Sequence, residues 1–479
     1  MRKDLFVRTF RLAGVTAAVA ALVGCISSGA GPQAGASTTP PAPAAVTAPQ
    51  LAGLAPCDGT PGFSCGTLTV PLDHTRRTPG MLDLKVAVAD NADAPRGILL
   101  VLAGGPGQPG VSLVNRIKQY FDPAVLREYR MVMFDQRGTG PAGINCAALQ
   151  AAVGGSDFLT PPREPVEACA EQLGRGRDFY GTPDTVEDIE WLRRALDARQ
   201  LTVDGVSYGT FSGAQYALRY PTRVRSLVLD SVVPHVGFDP FDVDGMAAAR
   251  RVLADACGND PACTTDPVAD LAWLVRNGEI DGQPINGTSF VESLAIMSLS
   301  NVNPTFAGIP KLLHDARNGD TAPLKEFFQQ ASSLGTPYQE LSAGLHMATL
   351  CSDLRFPWGT SAAPLAGREQ ALDRALSRLR PSELYPYDVA TARNMLAIQG
   401  CLRWAPARAS SYPKLQKLIP PTLLLQGTHD LFCPVEWAQW EKRQAVRGKL
   451  VLVPGGGHGI QGSRTDPTGK NEVRDFLLR

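Results

Sequence analysis

Three glycine-rich stretches hold the residues best suited to chemistry. In Gly205-Val206-Ser207-Tyr208-Gly209 a serine follows the apolar run Leu201 to Val206 and precedes Phe211 to Tyr220, which has a helical pattern and is stopped by Pro221. A serine on so tight a turn projects its hydroxyl away from the backbone. The flanking positions must be glycine, because a side chain there would strike the neighbouring chain. The turn also directs the Tyr208 amide inward. A hydroxyl is a poor nucleophile until a base removes its proton. His458, in Gly455-Gly456-Gly457-His458-Gly459 after the run Leu450 to Val453, is the expected base. His74, His235, His314 and His346 read as surface or packing residues, and His429 as a residue that shapes the loop beside it.

An acid must hold the imidazole in one tautomer and stabilise the imidazolium that forms. Asp430, in Gly427-Thr428-His429-Asp430 directly after Thr422 to Gln426, fits that role, and Asp230, after Val224 to Leu229, is the alternative. Gly104-Gly105-Pro106-Gly107 follows the run Ile98 to Leu102 and offers a second donor for the oxyanion. The Gly105 amide is paired with that of Tyr208, with Gly104 as the alternative; one such donor is worth roughly 3 to 4 kcal/mol. These glycines lack the Lys and Ser/Thr of a phosphate-binding loop and the spacing of a dinucleotide site. The chemistry implied is acyl transfer through a covalent serine ester.

Stepping outward, the elements that must position these residues alternate. Strands are expected over Thr67 to Pro71, Leu82 to Val88, Ile98 to Leu102, Tyr129 to Phe134, Leu201 to Val206 and Val224 to Leu229, with a helix over Thr185 to Arg199. The rhythm stops over 238–418, which reads as helices and loops. It resumes with Thr422 to Gln426, a helix over Val435 to Gln444, Leu450 to Val453 and a last helix over Asn471 to Leu478. This is an α/β pattern: a mostly parallel central sheet with helices on both faces. It is the pattern of the α/β-hydrolase fold, with core residues 51–237 and 419–479 and a largely helical cap, 238–418, inserted after the sixth expected strand. Such an insertion lies over the carboxyl edge of the sheet, where α/β folds bind ligands.

Lys+Arg and Asp+Glu both number 46 in the 479 residues, so no net field draws the chain to nucleic acid or to an anionic membrane. Residues 1–24 read as an export signal: Arg2, Lys3, Arg8 and Arg11 precede the apolar run Leu12 to Val23, which is short for a membrane span. Leu22-Val23-Gly24-Cys25 resembles a bacterial lipoprotein signal. This makes a lipid anchor on Cys25 the one expected membrane attachment and the cell envelope or the exterior the expected location. Residues 25–50, rich in Ser, Gly, Ala, Pro and Thr, read as a tether. An exported chain can oxidise its cysteines. The preferred pairs are Cys57/Cys65, Cys146/Cys169, Cys257/Cys263 and Cys351/Cys401, leaving Cys433. No C-x-x-C occurs and the six histidines are scattered, so neither a metal nor another cofactor is expected.

Taken together, Cys65-Gly66-Thr67-Leu68-Thr69-Val70-Pro71-Leu72-Asp73, the Gly-Gly-Pro-Gly turn, Phe134-Asp135-Gln136-Arg137-Gly138-Thr139-Gly140, Gly205 to Thr210, Cys351-Ser352-Asp353 and Cys401-Leu402-Arg403-Trp404 resemble the bacterial exported tripeptidyl aminopeptidases, relatives of the proline iminopeptidases. The resemblance implies hydrolysis of peptides with a free amino terminus, with attack by Ser207, and a cap that supplies carboxylates for the substrate ammonium. Asp353 is the candidate it offers for such a carboxylate, and a structural hydrogen-bond partner beside the Cys351 disulfide is the equal reading of the same residue. Two positions depart from the pattern. Ala103 stands where proline iminopeptidases usually have a histidine, and Cys433 stands where relatives often have threonine or valine. An exported carboxylesterase with the same triad, and an inactive peptide-binding surface lipoprotein, are the alternative readings.

Overall fold

A computed structural model describes residues 49–141, 143–334, 341–412 and 416–479. The expected leader, Cys25 and all but the last two residues of the tether lie outside the described residues. Strands β1 (Leu51–Pro56), β2 (Phe63–Pro71), β3 (Met81–Ala89), β4 (Ile98–Leu102), β5 (Arg130–Phe134), β6 (Leu201–Val206) and β7 (Val224–Asp230) come first. After a two-residue hairpin, β8 (Glu279–Ile280) and β9 (Gln283–Pro284), follow β10 (Leu418–Gly427) and β11 (Ala445–Val453). Nine of them form one sheet in the order β1-β2-β3-β5-β4-β6-β7-β10-β11. The pairs from β5 across to β11 are parallel, and β1, β2 and β3 add on antiparallel.

The parallel strands are apolar on both faces because helices cover both. In β4, Leu100 and Leu102 point into one core with Leu201, Val203, Leu227 and Leu229, while Leu99 and Val101 point into the other with Met131, Val228 and Leu423. This two-residue alternation brings the carboxyl ends of β4, β6, β10 and β11 to one edge of the sheet. Of the nine strands of the main sheet, β1 is the one that the sequence pattern did not reveal; the short pair β8 and β9 was not expected either. β1 is an exposed edge strand of Ala, Gly, Leu and Pro with little apolar surface to bury.

The α/β-hydrolase architecture is present, and the described residues between 238 and 418 are largely helical. The cap also recruits a segment assigned to the core from sequence. Between β5 and the helix Thr182–Ala195, the helices Ala147–Val153 and Arg163–Leu173 pack into the same apolar cluster as the cap helices Ala343–Asp353 and Leu396–Arg403. Disulfides brace both parts: Cys146–Cys169 links the first pair of helices and Cys351–Cys401 the second. Cys57–Cys65 and Cys257–Cys263 close short loops, and Cys433 is free and buried. Arg137, from the Asp-Gln-Arg-Gly motif, is wholly buried. Its Nε and Nη2 donate to the two oxygens of Asp188 at 2.6 Å each, which locks the loop after β5 to the helix Thr182–Ala195.

Candidate active site

Ser207 sits between β6 and the helix Tyr208–Arg219 with φ 56° and ψ −128°, a strained backbone for a residue with a side chain. Hydrogen bonds hold the strain: the Ser207 amide donates to the Asp230 carbonyl at 2.9 Å, and the Thr210 amide and hydroxyl donate to the Ser207 carbonyl at 2.8 and 2.6 Å. The flanking glycines are obligatory on steric grounds. A Cβ on Gly205 would lie 2.4 Å from the Gly209 carbonyl oxygen, and one on Gly209 would lie 2.4 Å from that of Leu102. Tyr208 occupies the first helical position, so its amide has no intrahelical acceptor.

On the facing turn, the Gly104 amide donates to the Gln108 side chain at 3.1 Å. Gly105, with φ 102°, lines both cavities that reach Ser207. Gly104, the alternative donor, also lies against the serine, since a Cβ there would be 2.9 Å from the Ser207 Cβ, but its amide is engaged by Gln108.

Asp430 and His458 come together from the loops after β10 and β11. His458 Nδ1 donates to the Asp430 carboxylate, 3.0 Å from each oxygen. The carboxylate is fully buried and also accepts from the Phe432 and Cys433 amides at 2.9 Å and from Gln426 Nε2 at 3.0 Å. Burial alone would push the imidazolium pKa down. The negative charges of Asp430, Asp230 and Asp157 outweigh it, so the His458 pKa lies above its usual value.

Asp230, the alternative acid, is engaged elsewhere. Its oxygens accept from the Ile460 and Gln461 amides at 2.9 and 2.8 Å, so it supports the turn that follows His458. The cap holds the same turn from the other side: the His458 amide donates to the Ser298 carbonyl at 2.7 Å, and the Ser300 amide donates to the His458 carbonyl at 2.9 Å. Packing here is so close that a Cβ on Gly457 would lie 1.7 Å from the Ser298 oxygen.

Asp353 requires a correction. It is buried beneath the nucleophile helix, where it accepts from the Tyr208 hydroxyl at 2.7 Å, from the Thr182 amide and from the Ser410 hydroxyl. It lines neither cavity at Ser207. Its carboxylate has fixed internal donors and is not presented to a substrate.

Two acids that sequence reasoning missed share the larger cleft with Ser207. Asp157 and Glu292 line the larger cleft together with Ser207, His458 and Phe432. Asp157 comes from Gly154-Gly155-Ser156-Asp157 in the recruited segment, and Glu292 from the cap helix Gly287–Met297. Burial pushes Asp157 up to about 7, with the His458 charge opposing. Burial and the neighbouring Asp157 charge push Glu292 up to about 8, although the Ser156 hydroxyl donates to it at 2.8 Å. A readable sign did exist for Glu292: it is the one charged residue in an otherwise apolar and small-residue helix.

His346, read as a packing residue, also lines the smaller cavity. Its Nδ1 donates to the Pro106 carbonyl at 2.8 Å, its Nε2 stands 3.3 Å from Asp157, and burial pushes its pKa down to about 4. His429 donates from its amide to the Gly456 carbonyl and faces the Pro304 carbonyl through Nδ1, shaping the acid loop.

Among the described residues, Asp430, Cys433 and His458 form the group of potential metal ligands, with ligand atoms within 4.8 Å of one another. The carboxylate and imidazole there are bonded to each other, and burial pushes the Cys433 thiol pKa up, away from the thiolate that metals prefer.

Ser207 and His458 thus line one cleft, and His458 is paired with Asp430. Residues 97–253 match the family model for the alpha/beta hydrolase fold, and 386–479 match that for TAP-like protein. A tripeptidyl aminopeptidase of Streptomyces lividans is 27% identical over 456 residues, covering 87% of this chain and 81% of that protein. Serine protease Hip1 of Mycobacterium tuberculosis is 25% identical over 443 residues, covering 83% and 82%. Carboxylesterase B of Mycobacterium tuberculosis is 30% identical over 265 residues, covering 49% and 50%. The chain is a serine hydrolase of the α/β-hydrolase fold, related over most of its length to tripeptidyl aminopeptidases.

Proposed function

We propose that the chain is an exported aminopeptidase that cleaves peptide bonds near a free amino terminus through an acyl-enzyme on Ser207. The observation that carries this reading is the carboxyl pair in the cleft of Ser207 and His458: Glu292, which is buried, and Asp157, whose side chain keeps 28% exposure. Two carboxyls brought together largely out of water are costly unless they are protonated or met by a cation. An entering ammonium supplies that cation, whereas an ester with no amine supplies none. Export is supported by the four disulfides, which persist in oxidising compartments, and by the leader pattern in the sequence.

In this mechanism the ammonium rests between Asp157 and Glu292, and the scissile carbonyl lies over Ser207 with its oxygen toward the Gly105 and Tyr208 amides. His458 takes the hydroxyl proton as Ser207 attacks, Asp430 stabilises the imidazolium, and His458 returns the proton to the leaving amine. Water then attacks the acyl carbon and gives its proton to His458; the bond from that carbon to Ser207 Oγ breaks, His458 returns the proton to Oγ, and the released acid departs.

The test is a substrate panel for the wild type and Ser207→Ala: a tripeptide amide with a free amine, its acetylated form, and a short ester. The aminopeptidase reading requires strong preference for the free amine. Equal turnover of the blocked peptide, or turnover of the ester alone, overturns it in favour of the carboxylesterase, a reading to which the similarity over half the chain to an esterase lends weight. Failure of a fluorophosphonate to label Ser207 would favour the inactive peptide binder.

A further inference from the structure

A second, smaller cavity opens at Ser207. Gly105, Ser207 and Tyr208 border it on the catalytic side, and its walls are mainly apolar: Phe158, Leu350, Met395, Phe432, Phe238 and Trp437. The ionisable side chains lining it are Asp157, Asp242, His346 and Cys433; no lysine or arginine lines it among the described residues. Asp242 stands out. It is 7% exposed, and its Oδ2 is buried without a hydrogen-bond partner. The chain makes room for this carboxyl: a Cβ on Gly245 would lie 2.4 Å from either of its oxygens. Its neighbours Asp239 and Asp244 are acidic too. Asp239 accepts from the Phe241 and Val243 amides, and Asp244 from the Trp437 indole at 2.9 Å, so neither relieves Asp242. Burial and these two charges push the Asp242 carboxyl well up, with the Gly245 backbone amide opposing them, so the unpartnered atom is Oδ2.

We infer that this cavity receives the side chain of the residue whose carbonyl Ser207 attacks, and that Asp242 makes it selective for a basic side chain, lysine or arginine. The inference rests on the peptidase reading. The aliphatic stem of such a side chain packs against the apolar walls while its charged head reaches the orphan carboxylate, a division of labour that suits long cationic side chains. A neutral side chain of the same length fills the cavity but leaves Asp242 unpaired, and sites built around a buried polar group discriminate strongly against ligands that cannot satisfy it.

The experiment measures kcat/KM for tripeptide amides with lysine, arginine, norleucine or leucine as the residue before the scissile bond, and for acetyl-lysine and acetyl-norleucine thioesters. Norleucine matches the lysine stem without the charge. Lysine and arginine should exceed norleucine by roughly a hundredfold. Asp242→Asn should remove most of that ratio while norleucine turnover stays within about threefold and fluorophosphonate labelling of Ser207 is unchanged. Met395→Lys, which sets a cation in the cavity wall, should also depress the basic substrates selectively, and it serves if Asp242→Asn fails to fold. Wild-type turnover of norleucine equal to that of lysine overturns the inference without any variant, as does an unchanged ratio in Asp242→Asn. The blocked thioesters read the cavity without a free amine. A lysine preference there stands even if the amine requirement fails, so the two readings fail separately.

Discussion

Replacing Glu292 by glutamine removes one of the two charges available to a substrate ammonium and preserves the shape of the side chain. A charge-assisted hydrogen bond in a buried site is worth about 1.5 to 3 kcal/mol, so kcat/KM for a free-amine tripeptide amide should fall by roughly 10- to 150-fold. The acetylated peptide and the short ester make no such contact and should change less than about twofold. A second readout comes from thermal unfolding. Glu292 titrates at about 8 in the folded protein against an ordinary value of 4.5. The folded chain thus holds a proton that the unfolded chain releases near pH 4.5. That contribution to stability is present below pH 4.5 and is lost as pH rises through 8. The ceiling is about 5 kcal/mol, since a tenfold change in proton affinity is worth about 1.4 kcal/mol. Glu292→Gln, which has no charge to bury, should therefore raise the Tm relative to wild type at pH 9 and leave it nearly unchanged at pH 4. Equal losses on all three substrates would refute the ammonium-receptor argument. An unaltered Tm difference between pH 4 and pH 9 would refute the electrostatic one.

Four further outcomes follow from the same geometry. Asp430→Asn should cost about 10⁴ in kcat with fluorophosphonate labelling slowed, because the imidazole loses the partner that sets its tautomer; retention of more than a tenth of the activity would contradict the pairing. Turnover of the simple ester should climb with pH through the raised His458 pKa, since the base must be neutral to accept the serine proton, and a profile that is flat or falling from pH 6 to 9 would contradict that role. Ser300→Pro deletes the amide that donates to the His458 carbonyl and should lower kcat more than it changes KM, checked by steady-state kinetics. Thiol reagents should inactivate slowly, because Cys433 is buried and its thiol pKa is raised, and full activity after mass-spectrometric confirmation of its labelling would remove any steric role for that position.

The parts of the site legible in the sequence are those whose local chain geometry demands particular residues. The turn at Ser207 needs glycines on both sides, and the turns carrying Gly105 and His458 are glycine-rich for similar steric reasons. Asp430 was legible because it lies directly after a buried strand. Asp157 and Glu292 belong to no such turn. They share a cleft only when the segment after β5 and the helix Gly287–Met297 converge on Ser207, fifty or more residues from the serine on either side. Asp353 shows the opposite error. Its place in a recognisable motif suggested a ligand role, but the motif is shaped by burial, with Tyr208, Thr182 and Ser410 all donating to one carboxylate.

The cap also holds the loops that carry His458 and Asp430. The backbone at 298–300 runs alongside His458 as a short parallel bridge, and the Ser298 hydroxyl accepts from the Leu431 amide in the loop of Asp430. One cap turn thus braces both the acid loop and the base loop, while Asp230 braces the base loop from the sheet side. The loop of His458 has few side chains of its own with which to hold a shape, since Gly455, Gly456, Gly457 and Gly459 surround the histidine. Glycine permits the close approach but leaves the loop entropically costly to order. The bonds from Ser298, Ser300 and Asp230 offset that cost, so the same insertion that encloses the cleft also holds the general base in register with its acid.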